Sequence, residues 1–373
     1  MRSRAIGILA VATGILLGGA LGFAQDPAKR FLLRYDRDND GKLARDEFPA
    51  RIKHLFDRID ANRDGYVTPE EDAEFRRVWP KLSRRLFVAS RDPDFANEKY
   101  GEHRRNVFDL WRAEGEGPRP LVIYFHGGGF RRGDKSSVNS ALLARLLEGG
   151  VSVAAANYRL SDVAPFPAQM HDAARAVQFI RYHARKYQID PERIGATGGS
   201  AGAGISLWLA FHDDLADPDS PDPVARQSTR LACAVVYAAQ TSYDPRFIQK
   251  LFNTDQVESA LIAFFGMESA KDVEDPKFFP LFEEASPLNH ATADDPPVLL
   301  FYPQPNTPLP PNSRGSQHIH HPKFGFVLKE KLEELGVECV LKLREDYVGQ
   351  DLRSGPVDDY VKFFFDKLGV QRP

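Results

Sequence analysis

The chain has 373 residues, of which 42 % are hydrophobic and 27 % charged, enough for one large folded domain and a small accessory module. Its 49 basic residues stand against 52 acidic ones, a formal charge of −3. There is no basic excess of the kind nucleic-acid binding demands, so no nucleic-acid partner is expected, and no acidic bias that would keep the chain disordered.

Residues 1–24 read differently from the rest. Arg2 and Arg4 precede an apolar run from Ala5 to Phe23, and Gly22-Phe23-Ala24 puts small residues where a signal peptidase cuts. This predicts a signal peptide over 1–24, an exported (secreted or periplasmic) protein, and no membrane span after cleavage. A retained membrane anchor is the alternative.

Two acidic repeats follow within residues 26–79. Asp36, Asp38 and Asp40 precede Gly41 and lead to Glu47; Asp60, Asn62 and Asp64 precede Gly65 and lead to Glu71. Oxygen ligands at positions 1, 3 and 5, a main-chain carbonyl at 7 (Lys42 and Tyr66), glycine at 6 and glutamate at 12 satisfy the hard-cation chemistry of an EF-hand loop. The glycine is required because the turn needs φ > 0. One such loop could be an acidic Asx-turn on a solvated surface; two complete loops 24 residues apart predict a calcium-binding pair. Leu43 and Val67, at position 8 of each loop, are expected to meet in a short β contact. A helix over roughly Arg45–Ile59, with Phe48, Ile52, Leu55, Phe56 and Ile59 as core, is expected to serve both loops. Outside cells calcium is abundant, so weak structural Ca2+ sites are expected rather than a sensor.

A basic linker over 80–99 leads to alternating strands and helices across 100–370. Strands are predicted at Arg105–Trp111, Leu121–Phe125, Val151–Asn157, Arg193–Thr197, Leu231–Ala238, Val298–Tyr302 and Glu338–Leu343. Helices are predicted most clearly at Ala141–Leu147, Ala168–Tyr187, Ala201–Phe211 and Phe326–Leu335. This alternation implies an α/β fold with a central, mostly parallel sheet covered on both faces.

Two motifs carry chemistry. Gly198-Gly199-Ser200-Ala201-Gly202 is a GxSxG elbow, entered by an apolar strand and left by an apolar helix. His126-Gly127-Gly128-Gly129-Phe130 follows its own strand, 74 residues before Ser200, and matches an HGGG oxyanion loop. Ser200 is the candidate nucleophile; the N–H groups of Gly128, Gly129 and Ala201 are the candidate oxyanion hole. With Tyr100-Gly101, Asn157-Tyr158-Arg159-Leu160, Phe166-Pro167, Asp172, Asp190-Pro191-Glu192-Arg193 and Ala285-Ser286-Pro287, the stretch from Tyr100 to Pro297 resembles the hormone-sensitive-lipase-like and acetyl-xylan-esterase-like branch of the α/β-hydrolases. The resemblance implies that fold, hydrolysis of a small-molecule or polymer-borne carboxylic ester through an acyl-enzyme, and an acyl or alcohol pocket shaped by 239–284.

The resemblance breaks at the serine's partners. Its acid belongs just after Val298–Tyr302, where this chain has Tyr302-Pro303-Gln304-Pro305-Asn306, and its histidine after Glu338–Leu343, where no histidine follows His321. Three readings are open. Ser200 is a relic in a catalytically silent binding protein; or the partners have exchanged places, a histidine from His318, His320 and His321 working with Glu345 or Asp346; or the three histidines bind a transition metal. His126, His171, His290 and Asp172 are assigned structural roles. Cys233 and Cys339, on strands with another between them, are expected to be buried free thiols.

Overall fold

The computed structural model describes residues 35–48, 53, 55–78, 91–310, 313–352 and 354–370. The predicted signal peptide, Ile52 and linker residues 80–90 lie outside the described residues. The chain divides into two units, 1–90 and 91–373.

In the first unit, β1 (Leu43–Ala44) pairs antiparallel with β2 (Tyr66–Val67), Leu43 opposite Val67 as the loop spacing predicted. Both side chains are fully buried and form a core with Phe48, Leu55, Phe56, Ile59 and Phe75. Two helices flank β2, α1 (Phe56–Ile59) and α2 (Pro69–Val78). Residues 45–47 form a turn closed by the Glu47 and Phe48 amides on the Ala44 carbonyl, rather than the start of the predicted helix. Phe48 precedes Pro49, and a residue before proline is pushed out of the α region. Thr68 and Glu71 cap α2 reciprocally, side chain to main chain in each direction.

The second unit is an α/β-hydrolase fold. Its elements in chain order are β3 (Phe95–Lys99), β4 (Val107–Trp111), β5 (Arg119–Phe125), α3 (Ser140–Glu148), β6 (Ser152–Ala156), α4 (Ala168–Tyr182), α5 (Ala184–Tyr187), β7 (Ile189–Gly199), α6 (Ala201–Phe211), β8 (Cys233–Tyr237), α7 (Pro245–Phe252), α8 (Ser259–Phe265), α9 (Phe279–Ala285), α10 (Pro287–His290), β9 (Val298–Tyr302), α11 (Gly315–His318), α12 (Lys323–Glu334), β10 (Cys339–Leu343) and α13 (Val357–Lys367). Among the described residues one sheet runs β10-β9-β8-β7-β5-β6-β4-β3. From β10 to β6 every pairing is parallel; β4 and β3 are antiparallel. The all-buried runs of β6 and β9 follow from helices on both faces. Cys233 and Cys339 are buried free thiols with β9 between them. Among the described residues no helix is long and apolar enough to cross a membrane.

The edge strand β3 falls in the predicted linker. Phe-Ala-Asn-Glu-Lys has one large apolar residue and no alternation, so nothing in its pattern marks a strand, yet its backbone pairs with β4. The predicted helix over 168–187 is interrupted at His183 and closed by Gln188 at φ 56°.

A polar network fixes the loop after β5. Asn157, just past β6, accepts from the Lys135 amide at 2.7 Å and donates to Asp134 at 2.7 Å. The Lys135 ammonium, buried, is 2.6 Å from Asp109 of β4, whose other oxygen accepts from the Asn97 amide of β3. Removing one partner of a buried pair leaves the other desolvated and uncompensated. Asp109→Ala is therefore expected to cost about 3–5 kcal/mol, read as a lower urea midpoint, and Asp109→Asn, which keeps the acceptor for Asn97, to cost less.

Candidate active site

Ser200 stands between β7 and α6 with φ 53° and ψ −120°, a backbone conformation a non-glycine residue adopts only where its surroundings impose it. The surroundings do so by crowding. A Cβ on Gly202 would come within 2.0 Å of the Phe125 carbonyl oxygen, and one on Gly198 within 2.5 Å of the Gly202 main chain. A Cβ on Gly199 would strike the Tyr237 ring at 2.0 Å. The Ser200 amide donates to the Tyr237 carbonyl at 3.1 Å, and its own carbonyl accepts the first helical bond from Gly204.

The glycine loop lies against this elbow. A Cβ on Gly127 would meet the Gly199 carbonyl oxygen at 2.7 Å and the Ser200 Cβ at 3.6 Å. Gly128 and Gly129 have φ of 120° and 61°. Among the described residues no acceptor engages the N–H of Gly128, Gly129 or Ala201, which leaves them available to an oxyanion. His126 is buried and structural. Its Nε2 accepts from Arg105 at 3.0 Å, its Nδ1 donates to the Gly127 carbonyl at 2.9 Å, and its ring stacks on Tyr158 at 4.3 Å. Burial first, and then the Arg105 charge, push its pKa down to about 4, so the ring stays neutral. Asp172 binds Arg159 through both oxygens and accepts the Arg159 amide, tethering the loop after β6.

The three clustered histidines separate. His320 Nε2 is 2.8 Å from Ser200 Oγ. His318 Nε2 meets Ser313 Oγ at 2.8 Å, and His321 Nε2 accepts nothing from the serine but donates to the Thr307 carbonyl at 2.9 Å. His318 stacks on Phe252 at 5.0 Å and His321 packs edge-on against the same ring at 5.4 Å. The three rings do not converge on one point, which removes the transition-metal reading of this triplet. Gln240, buried after β8, holds the segment by donating to the Ile319 carbonyl at 2.5 Å.

The acidic half of the exchanged triad is not brought to His320. Asp346 accepts from the Leu343 amide at 2.8 Å within its own turn, and Glu345 accepts from the Asn306 amide at 3.2 Å, bridging to the loop after β9. Among the described residues no carboxylate hydrogen-bonds to His320. The acid felt by its ring is Glu258, the residue that opens α8, a position with no signal in the sequence. Gly315, at the start of the short helix before His320, lies against Glu258, and a Cβ there would come within 3.1 Å of the Glu258 main chain and 3.2 Å of its carboxylate. The residue after the glycine loop is anchored in an aromatic cluster: Phe130 stacks on Phe264 at 4.1 Å, with Tyr243 at 5.5 Å from each.

The acidic loops of the first unit are wired alike. Position 1 accepts from the amides at 5 and 6 (Asp36 from Asp40 and Gly41, Asp60 from Asp64 and Gly65), and position 12 from the amide at 2 (Glu47 from Arg37, Glu71 from Ala61). Carboxylate oxygens of Asp36, Asp38 and Asp40 lie within 4.8 Å of one another. The Asp40 amide lowers the Asp38 pKa, but slight desolvation and the charges of Asp40 and Glu47 leave it raised overall. Crowded carboxylates on a preformed loop fit a hard divalent cation, and Asp36, Asp38, Asp40, Lys42, Glu47, Asp60, Asn62, Asp64, Tyr66 and Glu71 are the residues that would hold it.

Comparison with known proteins agrees with this geometry. The profile of the BD-FAE family matches residues 109–316, more than half of the chain, and an EF-hand profile matches residues 52–71. The probable carboxylic ester hydrolase LipM of Mycobacterium tuberculosis is 28 % identical over 235 residues, 56 % of this chain and 48 % of that protein. Esterase LipQ of the same organism is 28 % identical over 210 residues, 56 % of this chain and 47 % of its own. The chain thus spans about half the length of these curated relatives. Among solved structures, a truncated carbohydrate esterase from gut microbiota superposes with a TM-score of 0.58 at 20 % identity, covering 75 % of this chain and all of that one. A thermophilic esterase from the Planctomycetes species Thermogutta terrifontis gives 0.53 at 19 % identity, covering 73 % and 91 %. At these identities the likeness is one of fold.

Burial holds the His320 ring below the ordinary imidazole pKa, with the Glu258 charge opposing that shift. NMR titration of the ring is therefore expected to give a midpoint below about 6.5. Removing the opposing charge moves it the same way, so Glu258→Gln is expected to lower the midpoint further; a rise would contradict this electrostatic picture.

Proposed function

Because the chain belongs to the BD-FAE family, we propose that it is a serine-dependent carboxylic ester hydrolase working through a Ser200–His320 pair. The single observation that carries this reading is the 2.8 Å contact between Ser200 Oγ and His320 Nε2. His320 is neutral at neutral pH, because burial holds its pKa low, and takes the hydroxyl proton as Oγ attacks the ester carbonyl. The C–O double bond opens to an oxyanion that the amides of Gly128, Gly129 and Ala201 receive. Collapse expels the alcohol, which regains the proton from His320, and water then repeats the sequence on the acyl-serine. Glu258 acts on the base through space, without a hydrogen bond. Orientation of the ring falls instead to packing and to the Gln240 tether on the neighbouring carbonyl.

The carbohydrate esterase among the fold neighbours, with the acetyl ester-xyloside bifunctional hydrolase from Caldicellulosiruptor lactoaceticus, makes acetyl esters of carbohydrates the first substrates to test. On p-nitrophenyl acetate, Ser200→Ala and His320→Ala are each expected to lower kcat by about 10³-fold or more, and His318→Ala by less than about tenfold. Equal rates for the wild-type protein and Ser200→Ala would instead identify a silent binding domain.

The paired loops of the first unit support a second part of the reading, calcium binding through the ten residues named above. Ca2+ would neutralise the clustered carboxylates and stiffen the loops joined through β1 and β2. Calorimetric titration is expected to give two sites, and Glu71→Gln, which weakens the two-oxygen ligand at position 12, to remove or weaken one of them while the other remains.

A further inference from the structure

A second group of ligand-type side chains gathers at the far end of α6, on the opposite end of that helix from Ser200. His212 follows the last residue of α6, Glu284 lies on α9 and His290 ends α10. One ligand atom from each lies within 4.8 Å of those of the other two. His212 Nε2 is 2.9 Å from Glu284 Oε1, and the two imidazole centroids are 4.7 Å apart. Trp208 walls the group, its ring 4.1 Å from that of His212 and its indole N–H donating to the Glu284 carbonyl at 2.9 Å.

The outer nitrogens of both rings identify the inner ones. His212 Nδ1 is 2.8 Å from the Asp213 carbonyl and His290 Nε2 is 2.7 Å from the Glu284 carbonyl. A carbonyl only accepts, so those two nitrogens carry the protons, and in neutral rings the lone pairs fall on His212 Nε2 and His290 Nδ1. The His212 lone pair then faces a carboxylate oxygen, an approach of two acceptors that requires a cation between them or a second proton on the ring. Histidines pinned through one ring N–H to main-chain carbonyls, with a carboxylate beside the free nitrogen of His212, resemble the arrangement that metal-ligating imidazoles adopt.

We propose that His212, Glu284 and His290 form a transition-metal site, with two nitrogens and one carboxylate suited to Zn2+ and a fourth position left to water. Its three ligands come from three helices, so the ion would clip the end of α6, the helix that begins at the elbow, to the α9–α10 segment ahead of β9. The site shares no residue with the Ser200–His320 pair, so it stands or falls independently of the hydrolase reading.

The test uses the full chain with Ca2+ in excess, so that the acidic loops are filled. Zn2+ is titrated by calorimetry, and Co2+ is followed by its visible absorption band. The wild-type protein is expected to bind one equivalent of either ion, with a rise in Tm. His212→Ala, His290→Ala and the near-isosteric Glu284→Gln should each weaken Zn2+ binding by at least about tenfold and diminish the Co2+ band. His318→Ala should leave both readouts unchanged. No Zn2+ binding by the wild-type protein up to about 100 μM, or binding that His212→Ala, His290→Ala and Glu284→Gln leave intact, would overturn the proposal.

Discussion

The second unit is organised by one close approach, that of the end of β5 to the turn between β7 and α6. Phe125 is opposite Gly198 in the parallel register, and the Gly202 Cα faces the Phe125 carbonyl across a gap that a methyl group would overfill. Three consequences follow from that gap. The turn takes glycine on either side of Ser200, the serine is forced into positive φ, and the glycine loop after β5 is drawn against it. An elbow and an oxyanion loop 74 residues apart in sequence are thus one packing event. Backbone strain of this kind costs about 1–3 kcal/mol and persists only where neighbours over-determine the geometry. Here they do: the Ser200 amide is bound to β8, and α6 is buried along its whole length.

That explains which parts of the site were legible in the sequence. Glycines at Gly198, Gly199 and Gly202, and at Gly127 to Gly129, are dictated locally by sterics, so a motif records them. The base is a different kind of feature. Any loop that ends at the serine can carry it, and the physical requirement is a distance, which has no local signature. Of the three readings the sequence left open, the one with exchanged partners put the base in a run holding His318, His320 and His321. What separates them is the Phe252 ring, against which two pack while the middle one faces Ser200. Phe252 closes α7, far from the run in sequence, so no spacing rule could have chosen among the three.

The first unit shows the opposite case. Every ligand type, the glycine φ and the Leu43–Val67 pairing follow from a twelve-residue pattern, because a cation loop is built from its own main-chain donors. The one expectation that changed there, the helix beginning at Arg45, failed at a proline in the chain itself. In the second unit the unforeseen features are non-local: edge strand β3, whose sequence lacks a strand pattern, and the group of His212, Glu284 and His290, assembled from three helices that no periodicity connects.

The proposed placing of the base after β9 instead of after the last strand also alters what must be ordered for catalysis. Fixing the backbone of each residue in a loop costs about 1–2 kcal/mol, and a mobile histidine would spend little time within reach of the serine. The chain offsets that cost with contacts from the end of α7 and from the segment after β8: the Phe252 ring, the Gln240 amide on the Ile319 carbonyl, and Thr241 on the Phe324 carbonyl. A buried orienting carboxylate would do the same work by charge, at the expense of desolvating that charge. Neutral packing and main-chain tethers avoid the desolvation, and among the described residues they leave the Glu258 charge, acting without a hydrogen bond, to favour the imidazolium. The proposed pair is therefore ordered by packing in the ground state and supported by less charge in the transition state than a full triad supplies.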